Sequence, residues 1–172
     1  MTKTTAIRHQ WVHVTYPETA GFTETYGFVG SQGMVNLEGL LIEPLERQKD
    51  TVYLLMHPSS TLQLLPLPSA LAQAGCSVLC MGSRYAKNDS ALIFEKVALD
   101  LGASVRHAKE VLGFKQVILL GWSGGGSLSL FYQSQAQKPT ITHTPAGDPV
   151  DLTAARLMPA DGVILEAAHQ SR

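Results

Sequence analysis

Four short runs of apolar residues recur along the chain, separated by turn signals or longer amphipathic segments. They are Val52–Met56, Ser77–Met81, Gln116–Leu120 and Val163–Leu165. Continuous apolar runs of this length, without polar alternation, are typical of strands that are covered on both faces, as in parallel sheets. The pattern therefore predicts four buried strands.

The longest helical signal lies between the second and third of these runs. From Ala91 to Leu112, apolar residues recur at steps of three and four, the period of one buried helix face. Asp89 or Ser90 can cap the start of this helix, and Gly113 can end it. A long helix packed against buried strands is therefore expected here.

The remaining segments predict two shorter helices and two strands. The helices follow Pro68, ending at Gly75, and run from Gly125 to Ala136, and the strands are Trp11–Thr15 and Met34–Ile42, with a turn at Gly30–Gly33. Strands that alternate with helices predict an α/β fold, a mostly parallel sheet with helices on both faces.

The length of 172 residues predicts a single domain, residues 1–172, since domains usually hold about 100–200 residues. The chain stops at Arg172, soon after the last predicted strand, with no helix to cover it. Either a partner covers that face, or the chain is the amino-terminal part of a longer domain, and we favour the second expectation.

Composition and charge argue against a disordered chain and against binding to nucleic acid or membranes. Hydrophobic residues make up 45% of the chain, charged residues 16%, and the net charge is −1, which is unlike a disordered protein. No cluster of Lys and Arg points to nucleic acid or a membrane surface. No apolar run approaches the roughly 18 residues of a membrane span, and no secretory signal precedes the first strand. The sequence predicts a cytoplasmic protein.

The two cysteines, Cys76 and Cys80, predict neither a disulfide nor a metal site. In a strand their Cα atoms would be about 13 Å apart, at roughly 3.3 Å per residue. A disulfide needs less than about 7 Å, and no spaced His or Cys completes a zinc site. They are interpreted as small core residues, and neither a metal nor an organic cofactor is expected.

The strongest chemical signal is Gly121-Trp-Ser-Gly-Gly125, a G-x-S-x-G pattern where a buried strand meets a helix. A nucleophilic serine lifted above the sheet edge needs a tight turn with positive φ, so side chains two residues away would collide with it. Gly121 and Gly125 relieve that crowding, and the helix start aims unpaired N–H groups at the site. The alternative is a glycine-rich turn in which Ser123 only caps the helix.

A second element is the loop that follows the first buried strand, at His57-Pro58-Ser59. In this kind of site, an N–H from that loop joins the N–H of the residue after the nucleophile in an oxyanion hole. Pro58 has no N–H to donate, so Ser59 is the expected donor, paired with Gly124. His57 is interpreted as a loop histidine packed beneath the turn in preference to a catalytic base, and both interpretations stay open.

This series of strands and helices, with His57-Pro58 and Gly121–Gly126, resembles the α/β-hydrolase superfamily, particularly its bacterial esterase and lipase-like members. The resemblance runs from about Met34 to His169. It implies that Ser123 is the acyl-accepting nucleophile, that Gly124 and Ser59 donate to the oxyanion, and that Ser83–Ser90 line the substrate side. The loop in this family usually reads His-Gly, so Pro58 is a departure that leaves the second donor open.

The family's triad has the order Ser, Asp or Glu, His. Asp148, Asp151 and Asp161 lie between Ser123 and His169, so the order is formally present. His169, however, would follow the strand beside that of the nucleophile, where the family places pocket residues. We therefore expect His169 to line the pocket, and the catalytic acid and histidine to lie beyond Arg172.

The leading functional hypothesis is a serine hydrolase that cleaves an ester or similar acyl bond of a small molecule. The alternative is a catalytically incomplete or non-catalytic binding protein on the same scaffold. Nucleotide binding at Gly121–Gly126 is a weaker third hypothesis, since the spacing fits neither G-x-G-x-x-G nor the Walker pattern. The sequence carries no signal for the oligomeric state, and it leaves open whether Glu166, an acid in an apolar strand, faces solvent or a basic partner.

Overall fold

One six-stranded sheet and three helices form the regular structure of the residues that the computed structural model describes, which are 5–18, 33–46, 50–87, 90–153 and 155–168. The strands are β1 (Ile7–Pro17), β2 (Met34–Pro44), β3 (Thr51–His57), β4 (Ser77–Gly82), β5 (Gln116–Trp122) and β6 (Gly162–Glu166). The helices are α1 (Pro66–Gln73), α2 (Phe94–Glu110) and α3 (Gly124–Gln137). All four predicted strands are present, but β6 lies at the edge of the sheet with Ile164 and Leu165 exposed, so the prediction that this strand is buried is wrong.

The sheet has the order β1-β2-β4-β3-β5-β6. Strands β4, β3, β5 and β6 run parallel to one another. Strand β1 is antiparallel to β2, and β2 is antiparallel to β4. The prediction of a mostly parallel α/β sheet is confirmed. Because parallel strands end at a common edge, the residues that end β3, β4, β5 and β6 are brought to one side of the molecule.

The two faces of the sheet carry separate hydrophobic clusters. Leu54 of β3 belongs to the cluster that includes α2 and α3 residues, whereas its neighbour Leu55 belongs to the cluster around α1. Successive residues of a strand point to opposite faces, so α1 covers one face and the longer helices cover the other. Cys80 is buried beside α1, and both cysteines are free thiols.

Helix α2 begins later than its sequence signal predicts. Its N-cap is Ile93, in extended conformation, and the carbonyl of Ile93 accepts the N–H groups of Lys96 and Val97. The prediction that Ser90 caps the helix is wrong, and Asp89 lies outside the described residues. Ile93 and the first helical residue, Phe94, both pack on the core, so burial of these two side chains sets the start.

Helix α2 ends at Glu110, two residues before the predicted Leu112, and the predicted stop residue Gly113 lies just beyond it. Gly113 has a φ of 75°, and the N–H of Phe114 donates to the carbonyl of Ala108 at 3.0 Å. A hydrogen bond that runs back across a left-handed glycine is a common way in which a helix satisfies its last carbonyls. Helix α1, by contrast, begins at Pro66 and not after Pro68, since the first helical positions have no N–H bond to lose.

None of the helices in the described residues combines the length and the apolar composition that a membrane crossing needs. Of the turn expected at Gly30–Gly33, the structure describes only Gly33.

Candidate active site

The turn between β5 and α3 holds Ser123 in a strained backbone conformation. Its φ is 52° and its ψ is −127°, a combination that crowds Cβ against the backbone and that residues other than glycine rarely adopt. Ser123 occupies the N-cap position of α3, but its side chain makes no capping hydrogen bond. The interpretation of Ser123 as a simple helix cap therefore loses its physical basis.

The glycines around Ser123 let backbone segments approach more closely than any side chain would permit. A Cβ on Gly121 would lie 2.7 Å from Cα of Gly126, and a Cβ on Gly125 would lie 2.6 Å from the carbonyl oxygen of Met56. Both distances are shorter than a real Cβ tolerates. Alanine at either position would push α3 away from the ends of β3 and β5.

Helix α3 aims its first turn at the space above Ser123. The first N–H groups of a helix have no carbonyl partner within the helix and carry its positive dipole end. The turn is closed by the N–H of Gly126, which donates to the carbonyl of Ser123 at 2.9 Å. Gly124, the residue after the predicted nucleophile, is the first residue of α3, so its amide belongs to this helix start.

The imidazole of His57 lies against this helix start. His57 is the last residue of β3, the strand beside β5, and it is half-buried. A Cβ on Gly124 would lie 3.0 Å from Nε2 of His57. The absence of a side chain at Gly124 thus leaves room for the imidazole of His57. The structure therefore brings these two predicted site residues together.

Ser59 is placed differently from its predicted role. Its N–H donates to Nδ1 of His57, with an N–N distance of 3.3 Å. An N–H group engaged in this way is poorly placed to donate to a substrate oxygen as well. This bond does not favour Ser59 as the second oxyanion donor, and that role stays a prediction.

Ser83, the residue after β4, fixes the same loop from the other side. Its hydroxyl donates to the carbonyl oxygen of Pro58 at 2.5 Å and accepts the N–H of Tyr85 at 3.2 Å. The Ser83 side chain is buried. Its hydroxyl therefore connects the ends of β3 and β4, a role that the sequence did not reveal because the serine looks like any other turn residue.

Behind Ser83 lies a buried polar cluster that the sequence analysis missed. The guanidinium of Arg84 bonds Asp100 on α2 at 2.8 Å and Tyr16 on β1 at 2.6 Å, and it also pairs with Glu18. The Tyr16 hydroxyl donates to Asp100 at 2.5 Å. The available signal was Asp100 itself, a carboxylate between Val97 and Leu101 on the apolar face of a predicted helix.

Burial and the neighbouring charges shift the pKa values of this cluster, and burial raises the pKa of Asp100 although Arg84 opposes that shift. Burial alone would lower the pKa of Arg84, but the Asp100 carboxylate more than offsets this and raises it above its ordinary value. Burial, with Asp100 adding to the effect, raises the pKa of Tyr16 above its ordinary value, so the phenol stays neutral and donates. The cluster thus holds the turn after β4 as a fixed unit.

A cavity of about 370 Å³ lies beside this turn. Its described lining includes residues of β1, β2 and the loops after β3 and β4, namely His13, Thr15, Asn36, Leu37, Glu38, Thr61, Gln63, Gly82, Ser83, Arg84, Ala86 and Lys87. Part of Ser83–Ser90, the segment expected to line the substrate side, therefore lines a polar cavity. Residues 88 and 89 of that segment lie outside the described residues.

The end of β6 packs onto the elbow, the name used here for Gly121–Gly125. The N–H of Ser123 donates to the carbonyl of Glu166 at 3.0 Å, and a Cβ on Gly126 would lie 2.5 Å from Cβ of Ala168. Ala167 has a φ of 47°. The side chain of Glu166 is exposed, which settles the question that the sequence left open in favour of solvent.

Asp161, one of the acids in triad order, lies away from the elbow. Asp161 precedes β6, at the edge of the sheet opposite Ser123. There its carboxylate accepts the N–H of Val117 at 2.8 Å and pairs with Lys109 at 2.9 Å. Burial would raise the pKa of Asp161, but these two partners hold it below its ordinary value. Asp161 therefore has a structural role, and His169 lies outside the described residues.

The described residues bring no three His, Cys, Asp or Glu side chains together as metal ligands would be. The groups that the structure describes at the elbow are a hydroxyl, backbone amides and an imidazole. This set can attack an electrophilic carbon and stabilise the resulting oxyanion, provided that a base accepts the hydroxyl proton.

Comparison with protein-family models gives no match, and comparison with curated protein sequences gives none either. Solved structures do match. A bacterial heroin esterase aligns with a TM-score of 0.54 at 15% identity, over 95% of this chain and 45% of its own. Brefeldin A esterase, a bacterial homologue of human hormone-sensitive lipase, aligns with a TM-score of 0.52 at 18% identity, over 80% and 37%.

A third structure, the α/β-hydrolase GrgF from Penicillium sp. sh18, aligns with a TM-score of 0.51 at 17% identity, over 74% of this chain and 42% of its own. The chain thus spans less than half the length of each of these three proteins. At these identities the likeness establishes the architecture of the chain. The predicted resemblance is confirmed at that level: the chain has the fold of the α/β-hydrolases, over the portion that carries the strand-to-helix elbow.

Proposed function

We propose that the protein is a serine hydrolase that cleaves an ester or similar acyl bond of a small molecule through an acyl-enzyme on Ser123. The observation that carries the proposal is the strained backbone of Ser123, with φ at 52° on a turn closed by glycines. Strain of 1–3 kcal/mol, roughly, persists in proteins chiefly where function needs the geometry. Two of the proteins with matching structures are esterases, which agrees with this reaction class.

In the proposed reaction, Oγ of Ser123 attacks the acyl carbon while its proton passes to a general base. The carbonyl π electrons move to oxygen, and the oxyanion faces the amide of Gly124. Collapse of this intermediate reforms the carbonyl, breaks the ester C–O bond and expels the alcohol, which takes the proton from the base. Water then repeats the sequence and releases the acid.

The general base is proposed to be an imidazole outside the described residues, as in the hydrolases that this site resembles. A serine hydroxyl without a base is a weak nucleophile, so activity depends on that group. One observation favours the alternative function, a non-catalytic binding protein: His57, the described histidine that contacts the elbow, accepts a hydrogen bond at Nδ1, which is not the tautomer of a base acting through Nε2.

A fluorophosphonate probe distinguishes these functions. Attack by Oγ forms an O–P bond and expels fluoride, which leaves with the hydroxyl proton, so the adduct is stable and its site can be mapped by mass spectrometry. We expect labelling at Ser123 in the full-length protein, and its loss in Ser123→Ala. Ser134→Ala, an exposed serine on the same helix, should be labelled like the unmodified protein. Folded protein that stays unlabelled at Ser123 would exclude the hydrolase and favour the binding protein.

A further inference from the structure

The imidazole of His57 lies between two backbone groups of the candidate site. On one side its Nδ1 accepts the N–H of Ser59 at 3.3 Å. On the other, its Nε2 lies 3.0 Å from the position that a Cβ on Gly124 would occupy. The two ring nitrogens therefore have different environments, and only Nε2 faces the helix start beside Ser123.

The contact with Ser59 determines which ring nitrogen carries the proton. A neutral imidazole has one N–H donor and one acceptor nitrogen. Because Nδ1 accepts a hydrogen bond from a backbone N–H, the proton of the neutral ring belongs on Nε2. In this tautomer Nε2 donates, whereas a general base for Ser123 would need an acceptor nitrogen there.

We infer that Nε2–H of His57 is the second donor of the oxyanion hole, opposite the amide of Gly124. This inference rests on the function proposed above. It gives the Ser59 N–H a different role from the predicted one: it orients the ring and fixes its tautomer. It also explains how a loop with Pro58 after the histidine, and hence without an N–H at that position, still offers a donor.

The chemistry of this role involves no transfer of the imidazole proton. As the carbonyl π electrons move to oxygen, the hydrogen bonds from Nε2 of His57 and from the amide of Gly124 strengthen, and both protons stay on nitrogen. A neutral donor suits this task because it stabilises a developing charge without being neutralised by it. Removing one such donor slows reactions of this class by about 100–1000-fold.

The test compares the rate of fluorophosphonate labelling at Ser123 in the unmodified protein and in two variants. The phosphoryl oxygen of the probe occupies the position of the oxyanion. His57→Leu removes the donor at similar volume, and we expect labelling to slow by about 100-fold. His57→Gln keeps an N–H donor at similar reach, and its rate should stay within about tenfold of the original. Ser60→Ala, an exposed change in the same loop, serves as the control.

A second measurement does not depend on the variants folding. In protein with ¹⁵N-labelled histidine, the Nε2 signal should be that of a protonated nitrogen and the Nδ1 signal that of an unprotonated one. The Nε2 proton should shift downfield when the phosphonate adduct forms. A proton on Nδ1 in the neutral ring, or no shift on adduct formation, would overturn the inference.

The failure of this inference can be told apart from the failure of the proposed function. If Ser123 is not labelled in the unmodified protein, both are wrong. If Ser123 is labelled and His57→Leu reacts within threefold of the unmodified rate, the hydrolase stands and His57 is not a donor. Equal slowing in His57→Leu and His57→Gln would show that the ring only supports the loop, which also overturns the inference.

Discussion

Two serines follow parallel strands at the same edge of the sheet, and the fold uses them in opposite ways. Ser123, after β5, has a strained backbone and a half-exposed side chain that makes no capping bond. Ser83, after β4, is buried, and its hydroxyl both donates to Pro58 and accepts from Tyr85. The same residue type is therefore a structural connector in one turn and a candidate nucleophile in the other.

The difference between the turns lies in what surrounds each serine. The Ser83 turn, residues 83–87, is held by hydrogen bonds and ion pairs that reach β1 and α2 through Arg84. The elbow is held by close backbone packing that only glycine permits, at Gly121 and Gly125. Polar bonds fix the first turn, whereas tight packing keeps the second in a conformation that it would not adopt alone. Breaking each support in turn tests this comparison.

The largest effect is expected from Asp100, which supports the Ser83 turn. In Asp100→Ala, Arg84 would lose its buried carboxylate partner, and breaking a buried ion pair from one side costs about 3–5 kcal/mol. We expect the free energy of unfolding, measured by urea denaturation, to fall by about that amount. Glu110→Ala, at an exposed acid on the same helix, should change it by less than about 0.5 kcal/mol. Equal effects of the two changes would mean that the cluster does not support the turn.

How far the sequence predicts these turns depends on how local their causes are. The elbow follows from five adjacent residues after an apolar strand, and the positive φ expected of Ser123 is observed. The cluster of Tyr16, Arg84 and Asp100 joins three distant segments, and such contacts depend on the tertiary fold and leave little local pattern. In the sequence, only Asp100, a carboxylate on the apolar face of α2, indicates that a buried polar cluster is present.

The second oxyanion donor was also hard to predict from sequence, although the residues concerned are close together in the chain. The sequence identified the loop after β3 and excluded Pro58 as a donor, because proline lacks an N–H. It could not predict that the Ser59 amide would turn back onto the side chain of His57, since loop conformation is decided by packing. The start of α2 at Phe94 differs from its predicted position for a similar reason, since it depends on which side chains reach the core.

A smaller effect is expected from Ser83 itself. In Ser83→Ala the carbonyl of Pro58 loses its buried hydrogen bond, and an unsatisfied buried acceptor costs about 1–3 kcal/mol. We expect a loss near the lower half of that range in urea denaturation, because the ion pairs of Arg84 still hold the turn. Ser60→Ala, exposed in the neighbouring loop, should have almost no effect. A Ser83→Ala protein as stable as the original would show that the hydroxyl is not a connector.

The smallest effect, and the only one of opposite sign, is expected at the elbow. Ser123→Gly releases a non-glycine residue from φ 52° and ψ −127°, strain of roughly 1–3 kcal/mol. The added freedom of glycine in the unfolded chain offsets about 0.5–1 kcal/mol of that gain. We therefore expect the free energy of unfolding to rise by about 1 kcal/mol, while Ser134→Gly, in the regular part of α3, should lower it by a few tenths to about 0.5 kcal/mol. If Ser123→Gly instead destabilised the protein as Ser134→Gly does, the elbow would hold no strain. Ser123 would then differ from Ser83 only in its exposure and not in the conformation that the fold imposes on it.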